Sequence, residues 1–106
     1  MSSVITAPAG RNWSTPTVLA TKTYGTLTGS YNPELKMALL SWLGTGSTVT
    51  DAEFTVTLPE AYRSTQKIGT GMRYAGEELY IDGTNLYVRL STASTWTGGQ
   101  LVYTTA

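Results

Sequence analysis

Apolar and polar residues alternate in short runs along most of this chain. Residues 53–58 are the plainest case: Phe54, Val56 and Leu58 share one side, and Glu53, Thr55 and Thr57 the other. A period of two predicts a half-buried strand. Pro59 stops that strand, having no N–H for a ladder, and a polar corner follows. Alternation resumes at Lys67, with Ile68, Thr70, Met72 and Tyr74 on one side. In residues 77–90, Leu79 and Ile81 face one way before Asp82-Gly83, and Leu86, Val88 and Leu90 face that way after it. Asp-Gly between two such runs signals a hairpin. A bend centred on Gly83-Thr84 sets Ile81 opposite Leu86, Tyr80 opposite Tyr87 and Glu78 opposite Arg89. An aromatic pair and an opposite-charge pair then fall together on the outer side, each worth roughly 0.2–1 kcal/mol. A slip of one residue would lose both and expose the apolar side.

The remaining segments are less uniform. Residues 17–24 alternate weakly and predict a strand. Residues 25–33, "GTLTGSYNP", are turn-rich, with room for one short strand. Residues 34–43, "ELKMALLSWL", support two readings. Asn32 is a good N-cap, Pro33 a good first residue and Gly44 a good stop for a helix. Leu35, Ala38, Leu39, Trp42 and Leu43 have helical spacing, yet Leu35, Met37, Leu39 and Leu43 also share one side of a strand. Residues 91–99 form a loop carrying Trp96, and residues 100–105 a closing strand. Residues 1–16 are expected to form an extended N-terminal arm, disordered unless something holds it, and residues 17–106 a single domain. Seven or eight short strands predict an all-β fold, an antiparallel β-sandwich of jelly-roll-like type.

Composition narrows the function. The chain of 106 residues has 7 basic and 7 acidic side chains, formal net charge zero, and 13% charged residues. That is well below the roughly 25% of ordinary globular proteins. No basic stripe exists for phosphate, so nucleic acid is not an expected partner. No apolar run nears the 18 or so residues of a membrane span, so membrane insertion is not expected either. The N-terminus lacks the basic and apolar regions of a secretory signal. There is no Cys and no His, which removes thiolate chemistry and the commonest general base. The abundant Thr, seven Tyr and three Trp suit pleated surfaces. Low charge also permits association with copies of the same chain.

Three motifs in order resemble the C-terminal head or tip domains of bacteriophage tail fibres and baseplate receptor-binding proteins. Leu58, Pro59, Tyr62 and Arg63 match a "LP-x-x-YRP"-like corner, with Ser64 where a Pro is usual, which predicts a looser corner. Ile81, Asp82, Gly83, Leu86 and Val88 match a hairpin, and Trp96 and Tyr103 match the ending. The resemblance covers roughly residues 34–104 and moves residues 35–43 from helix to strand. It implies a homotrimeric head on the virion that attaches to host cell-surface saccharide. The alternative is a structural virion protein, a capsid decoration or head fibre, whose N-terminal arm grips other virion proteins. On either reading, the corner would carry the chain to the opposite sheet, with the Tyr62 ring packed on the sandwich end and its hydroxyl wet.

Catalysis is not expected. The only acid-base candidates are Asp51, Glu53, Glu60, Glu77, Glu78 and Asp82; Glu77 and Glu78 point to opposite sides of a strand, and Ser or Thr would lack a base. Glu78, Asp82 and Asn85 could offer oxygen to Ca²⁺, but a plain hairpin explains them, and no metal or cofactor is expected. Sugar sites pair an aromatic face with planar polar groups. The candidates are Trp96, Tyr74, Tyr80 and Tyr87, with Arg73, Asp82, Asn85 and Arg89 as polar partners. Surface packing or a subunit interface is the rival explanation for the tyrosines. Trp42 is assigned to the core or a subunit seam, and Trp13 to anchoring the arm. Gly69 and Gly71 are expected to leave room for a neighbouring ring.

Overall fold

The computed structural model describes residues 12–72, 76–92 and 97–106. Its strands are β1 (Thr17–Lys22), β2 (Gly25–Asn32), β3 (Met37–Gly44), β4 (Glu53–Thr57), β5 (Lys67–Gly71), β6 (Glu78–Asp82), β7 (Asn85–Arg89) and β8 (Gly98–Thr104). They form two antiparallel sheets, one in the order β1-β2-β3-β8 and the other β4-β7-β6-β5. The all-β sandwich expected from the alternation is the architecture found. The second sheet is a Greek key: three hairpin-connected strands, with β4 lying beside β7.

The inner faces meet in one apolar core. Leu27, Ala38, Leu40, Trp42 and Leu101 come from the first sheet, and Leu79, Ile81, Leu86 and Val88 from the second. The Trp42 ring sits 6.0 Å from that of Tyr24 and 5.5 Å from that of Phe54, and its Nε1 donates to Thr97 Oγ1. At the other end Tyr31 meets Tyr62 edge to face at 5.5 Å, and the Tyr103 hydroxyl donates to the Tyr62 carbonyl at 2.6 Å.

Residues 25–33 are not mainly turn: β2 is an eight-residue central strand. Its glycines are space-makers rather than breakers. A side chain at Gly25 would enter the Trp42 ring, and one at Gly29 would meet Tyr62 and Leu19. The strand that the resemblance implies for residues 35–43 is found over Met37–Gly44, with Leu35 and Lys36 in the turn before it and the opposite side inward. Ala38, Leu40 and Trp42 are buried, while Leu43 is 67% exposed. Pairing sets this parity: Trp42 lies opposite inward Leu27, and Leu40 opposite inward Leu101. The capping chemistry of Asn32 is nonetheless present. Its Oδ1 accepts the N–H groups of Glu34 and Leu35 at 3.0 and 3.1 Å. The turn it starts does not propagate, because Lys36 takes a positive φ of 52° and reverses the chain into β3.

The corner differs from expectation in three ways. It does not lead to the opposite sheet. β4 and β5 are the two edges of one sheet, and the corner carries the chain past the tip of the β6–β7 hairpin. Leu58 N–H donates to Thr84 O at 2.7 Å, and Ser64 N–H to Gly83 O at 3.3 Å. Second, Tyr62 is buried within the short 3₁₀ turn Glu60–Tyr62, and its hydroxyl lies 3.5 Å from Thr17 Oγ1 rather than in solvent. Third, Ser64 latches the corner instead of loosening it. It supplies an N–H that proline lacks, and its Oγ accepts Gln66 N–H at 3.2 Å. Arg63 Nε closes the turn onto Leu58 O at 3.1 Å.

Within the arm, Ser14 is tied to β2. Its N–H donates to Tyr31 O at 2.8 Å, its Oγ accepts Tyr31 N–H at 3.0 Å, and its carbonyl accepts the Ser30 hydroxyl at 2.6 Å. Residues 1–11 lie outside the described residues.

Candidate functional site

Strand alternation places polar and aromatic residues on the outer face of the second sheet in three cross-strand rows. The first runs Glu53, Arg89, Glu78, Gly71; the second Thr55, Tyr87, Tyr80, Gly69; the third Thr57, Asn85, Asp82, Lys67. The register read from the hairpin is the one observed: Tyr80 pairs with Tyr87, Glu78 with Arg89 and Ile81 with Leu86. Gly83, at φ +67°, makes the two-residue bend.

The middle row is an aromatic platform. The Tyr80 and Tyr87 ring centroids lie 6.0 Å apart at 36°. Gly69 stands beside Tyr80, where an added Cβ would come within 3.1 Å of Tyr80 Cδ1. Ring and glycine therefore fit together, and the platform runs out to the β5 edge unobstructed. The first row closes one end. Arg89 donates through Nε to Glu53 Oε2 at 3.1 Å and through Nη1 to Glu78 Oε1 at 3.2 Å. All three side chains are exposed enough for water to screen them, so these pairs add little stability, about 0–1 kcal/mol each. What they do is fix the guanidinium beside the rings. The third row closes the other end, where Lys67 Nζ is 3.9 Å from Asp82 Oδ2 and Thr57 Oγ1 is 3.5 Å from Asn85 Oδ1.

Between them lies a cleft of about 260 Å³ lined by Glu53, Glu78, Tyr80, Asp82, Tyr87 and Arg89. Of the expected site residues, Tyr80, Tyr87, Asp82 and Arg89 line it, and Asn85 borders it. Arg73, Tyr74 and Trp96 lie outside the described residues. Glu53 went unrecognised as part of this group in the sequence. It arrives through the β4–β7 pairing, which joins residues 36 apart, and no local pattern announces so distant a neighbour.

Glu53 and Glu78 both bond the Arg89 guanidinium. Glu77 is buried on the inner side, where its carboxylate accepts Ser91 N–H at 2.9 Å. Asp51 accepts the Tyr24 hydroxyl at 2.9 Å. Burial, then the hydrogen bond and charge of Asp51, push the Tyr24 phenol up to about 12. Burial, then the Tyr62 phenol, raises Tyr103. Both tyrosines are structural. Among the described residues, no three acidic side chains converge as an ion cage.

A larger groove, about 710 Å³, lies at the corner end between Tyr31, Lys36, Glu60, Arg63 and Ala106. Its one ring, Tyr31, is engaged edge-on with Tyr62, and Arg63 Nε is spent on Leu58 O. It offers no stacking platform with polar groups at both ends, so the smaller cleft is the stronger candidate. Comparison with family models, with curated proteins and with solved structures returns no match.

Proposed function

We propose that this chain is the receptor-binding head of a bacteriophage tail fibre or baseplate protein, assembled as a homotrimer on the virion. It attaches to host cell-surface saccharide through the Tyr80–Tyr87 cleft. The observation that carries this is the tilted tyrosine pair, with Arg89 held at one end and Asp82 and Asn85 at the other. Sugar rings stack their C–H faces on such rings and spend their hydroxyls on planar polar groups. The motif order of corner, hairpin and aromatic ending supports the same reading. A cleft slightly below the roughly 300–1,000 Å³ of small-molecule pockets suits one or two sugar units. Weak single sites then gain strength through repetition on the virion.

The lining carries three carboxylates and one guanidinium. Acidic sugars therefore meet net repulsion, and the ligand is a neutral or amino sugar. A glycan array should show binding to neutral or amino sugars and none to uronic or sialic acids. Tyr87→Ala should weaken binding about tenfold or more, since truncating an aromatic anchor costs roughly 2 kcal/mol. Binding to purified capsids with no glycan bound would favour the structural virion protein instead. Retained affinity in Tyr87→Ala would remove the cleft from the mechanism.

A further inference from the structure

The outer face of β5 is nearly bare. Its outward positions are Lys67, Gly69 and Gly71, so one side chain stands where three could. Glycine inside a strand weakens it and marks a place that something approaches closely. At Gly69 the Tyr80 ring accounts for part of this. Gly71 has no such explanation. Its φ is not in the left-handed region, and among the described residues an added Cβ would meet nothing nearer than Glu77 O at 3.9 Å. β5 ends its sheet on one side and β4 on the other, where Thr55 is small and exposed. The row Thr55, Tyr87, Tyr80, Gly69 therefore carries its two rings in the middle and low ground at each edge. Long side chains stand alongside it. Arg89 lies between Glu53 and Glu78 on one flank, and Lys67 lies near Asp82 on the other.

We infer that this row is the floor of a channel that crosses the sheet and is open at both edges, so that its ligand is the interior of an unbranched polysaccharide rather than a chain end. The inference rests on the saccharide reading of the cleft and adds the form of the substrate. The two rows that close the cleft along the strands become the side walls. One or two sugar units occupy the cleft, and the chain runs on over Gly69 at one edge and Thr55 at the other. Three strand spacings of roughly 4.8 Å separate β4 from β5, about 14 Å of floor, which is longer than one sugar ring. The walls stand two residues to either side, roughly 7 Å from the middle of the floor. That width admits a single file of rings, with charged groups in reach of hydroxyls on both flanks. A branch would have to stand against a wall. A pocket for a chain end needs a side chain across one mouth, and Gly69 and Thr55 put none there.

Affinity measured against chain length on the full chain tests this. The probes are linear neutral and amino oligosaccharides of one to about five units, screened on an array and then titrated by calorimetry. Affinity should climb at least tenfold, from one unit to about four, and then level off. A pentamer capped at both ends should bind like the free one. Gly69→Val and Thr55→Arg raise the floor at opposite edges, and each should flatten the climb to less than about threefold. Two edges are used so that a shifted Tyr80 ring in the Gly69 variant does not decide the result. Val102→Arg, exposed on the other sheet, should leave the whole series unchanged. A single sugar that binds as tightly as the pentamer overturns the channel and leaves saccharide binding standing. So does a pentamer that loses affinity when its non-reducing end is capped, or a climb that survives both edge variants. Retained affinity in Tyr87→Ala, or no binding to any probe, removes the cleft itself, and the channel falls with it.

Discussion

Replacing Ser64 by proline would give the corner the residue carried by the motif it resembles, and the structure says it should weaken the protein. Arg63, just before it, is extended at φ −78°, ψ 151°, the backbone a following proline requires. No clash with the preceding residue is therefore forced. What is lost is the Ser64 N–H bond to Gly83 O at 3.3 Å and the Oγ bond to Gln66 N–H at 3.2 Å. Two neutral hydrogen bonds contribute about 0.5–1.5 kcal/mol each, and an acceptor left without its partner adds to the loss. Stiffening the unfolded chain returns about 0.4–1 kcal/mol. The net is a loss of about 1–2 kcal/mol, which at about 4–8 °C per kcal/mol lowers Tm by roughly 5–15 °C. Ser64→Ala keeps the N–H and loses only the hydroxyl acceptor, whose partner Gln66 is exposed, so it should cost less than about 1 kcal/mol. Calorimetric Tm and urea midpoints on the three proteins should fall in the order wild type, Ser64→Ala, Ser64→Pro. A Ser64→Pro protein at least as stable as Ser64→Ala would refute the claim that the corner hangs on this N–H.

Gly25→Ala places a Cβ about 2.7 Å from Trp42 Cε2 and Cη2, so the ring must move. We expect about 1–3 kcal/mol of destabilisation and altered near-ultraviolet dichroism; an unchanged urea midpoint would contradict it. The pH dependence follows from Tyr24. Its phenol is raised in the folded state to about 12 from an ordinary 10.0, so the folded chain holds the proton more tightly than the unfolded one. Its stabilising contribution is intact below about pH 10 and is lost as pH climbs toward 12. Tyr103 pulls the same way. Urea midpoints should fall over that window, and Tyr24→Phe should flatten the fall. An identical slope in the variant would count against it.

The β6–β7 hairpin was readable in the sequence because three independent signals agree on one register: Asp82-Gly83, the paired tyrosines, and Glu78 with Arg89. The direction of β3 was not. Six of the seven residues from Met37 to Leu43 are apolar, so both parities are locally consistent. The choice rests on Gly25 admitting Trp42, a contact across two strands. β2 was obscured for a related reason. Its glycines look like breakers until the rings they accommodate are in place. The cleft was half legible: Tyr80, Tyr87, Asp82, Asn85 and Arg89 lie on one hairpin, whereas Glu53 joins through a long-range pairing.

Hairpin apices are the usual sites for splicing in a foreign epitope, since few contacts are disturbed there. The apex at Gly83-Thr84 is an exception, because main-chain bonds from Leu58 and Ser64 end on it. A graft at that point would pry away the corner and strip anchorage from both edge strands of the second sheet. The exposed Ser47–Thr48 stretch is the gentler position for display, and it leaves the tyrosine platform intact.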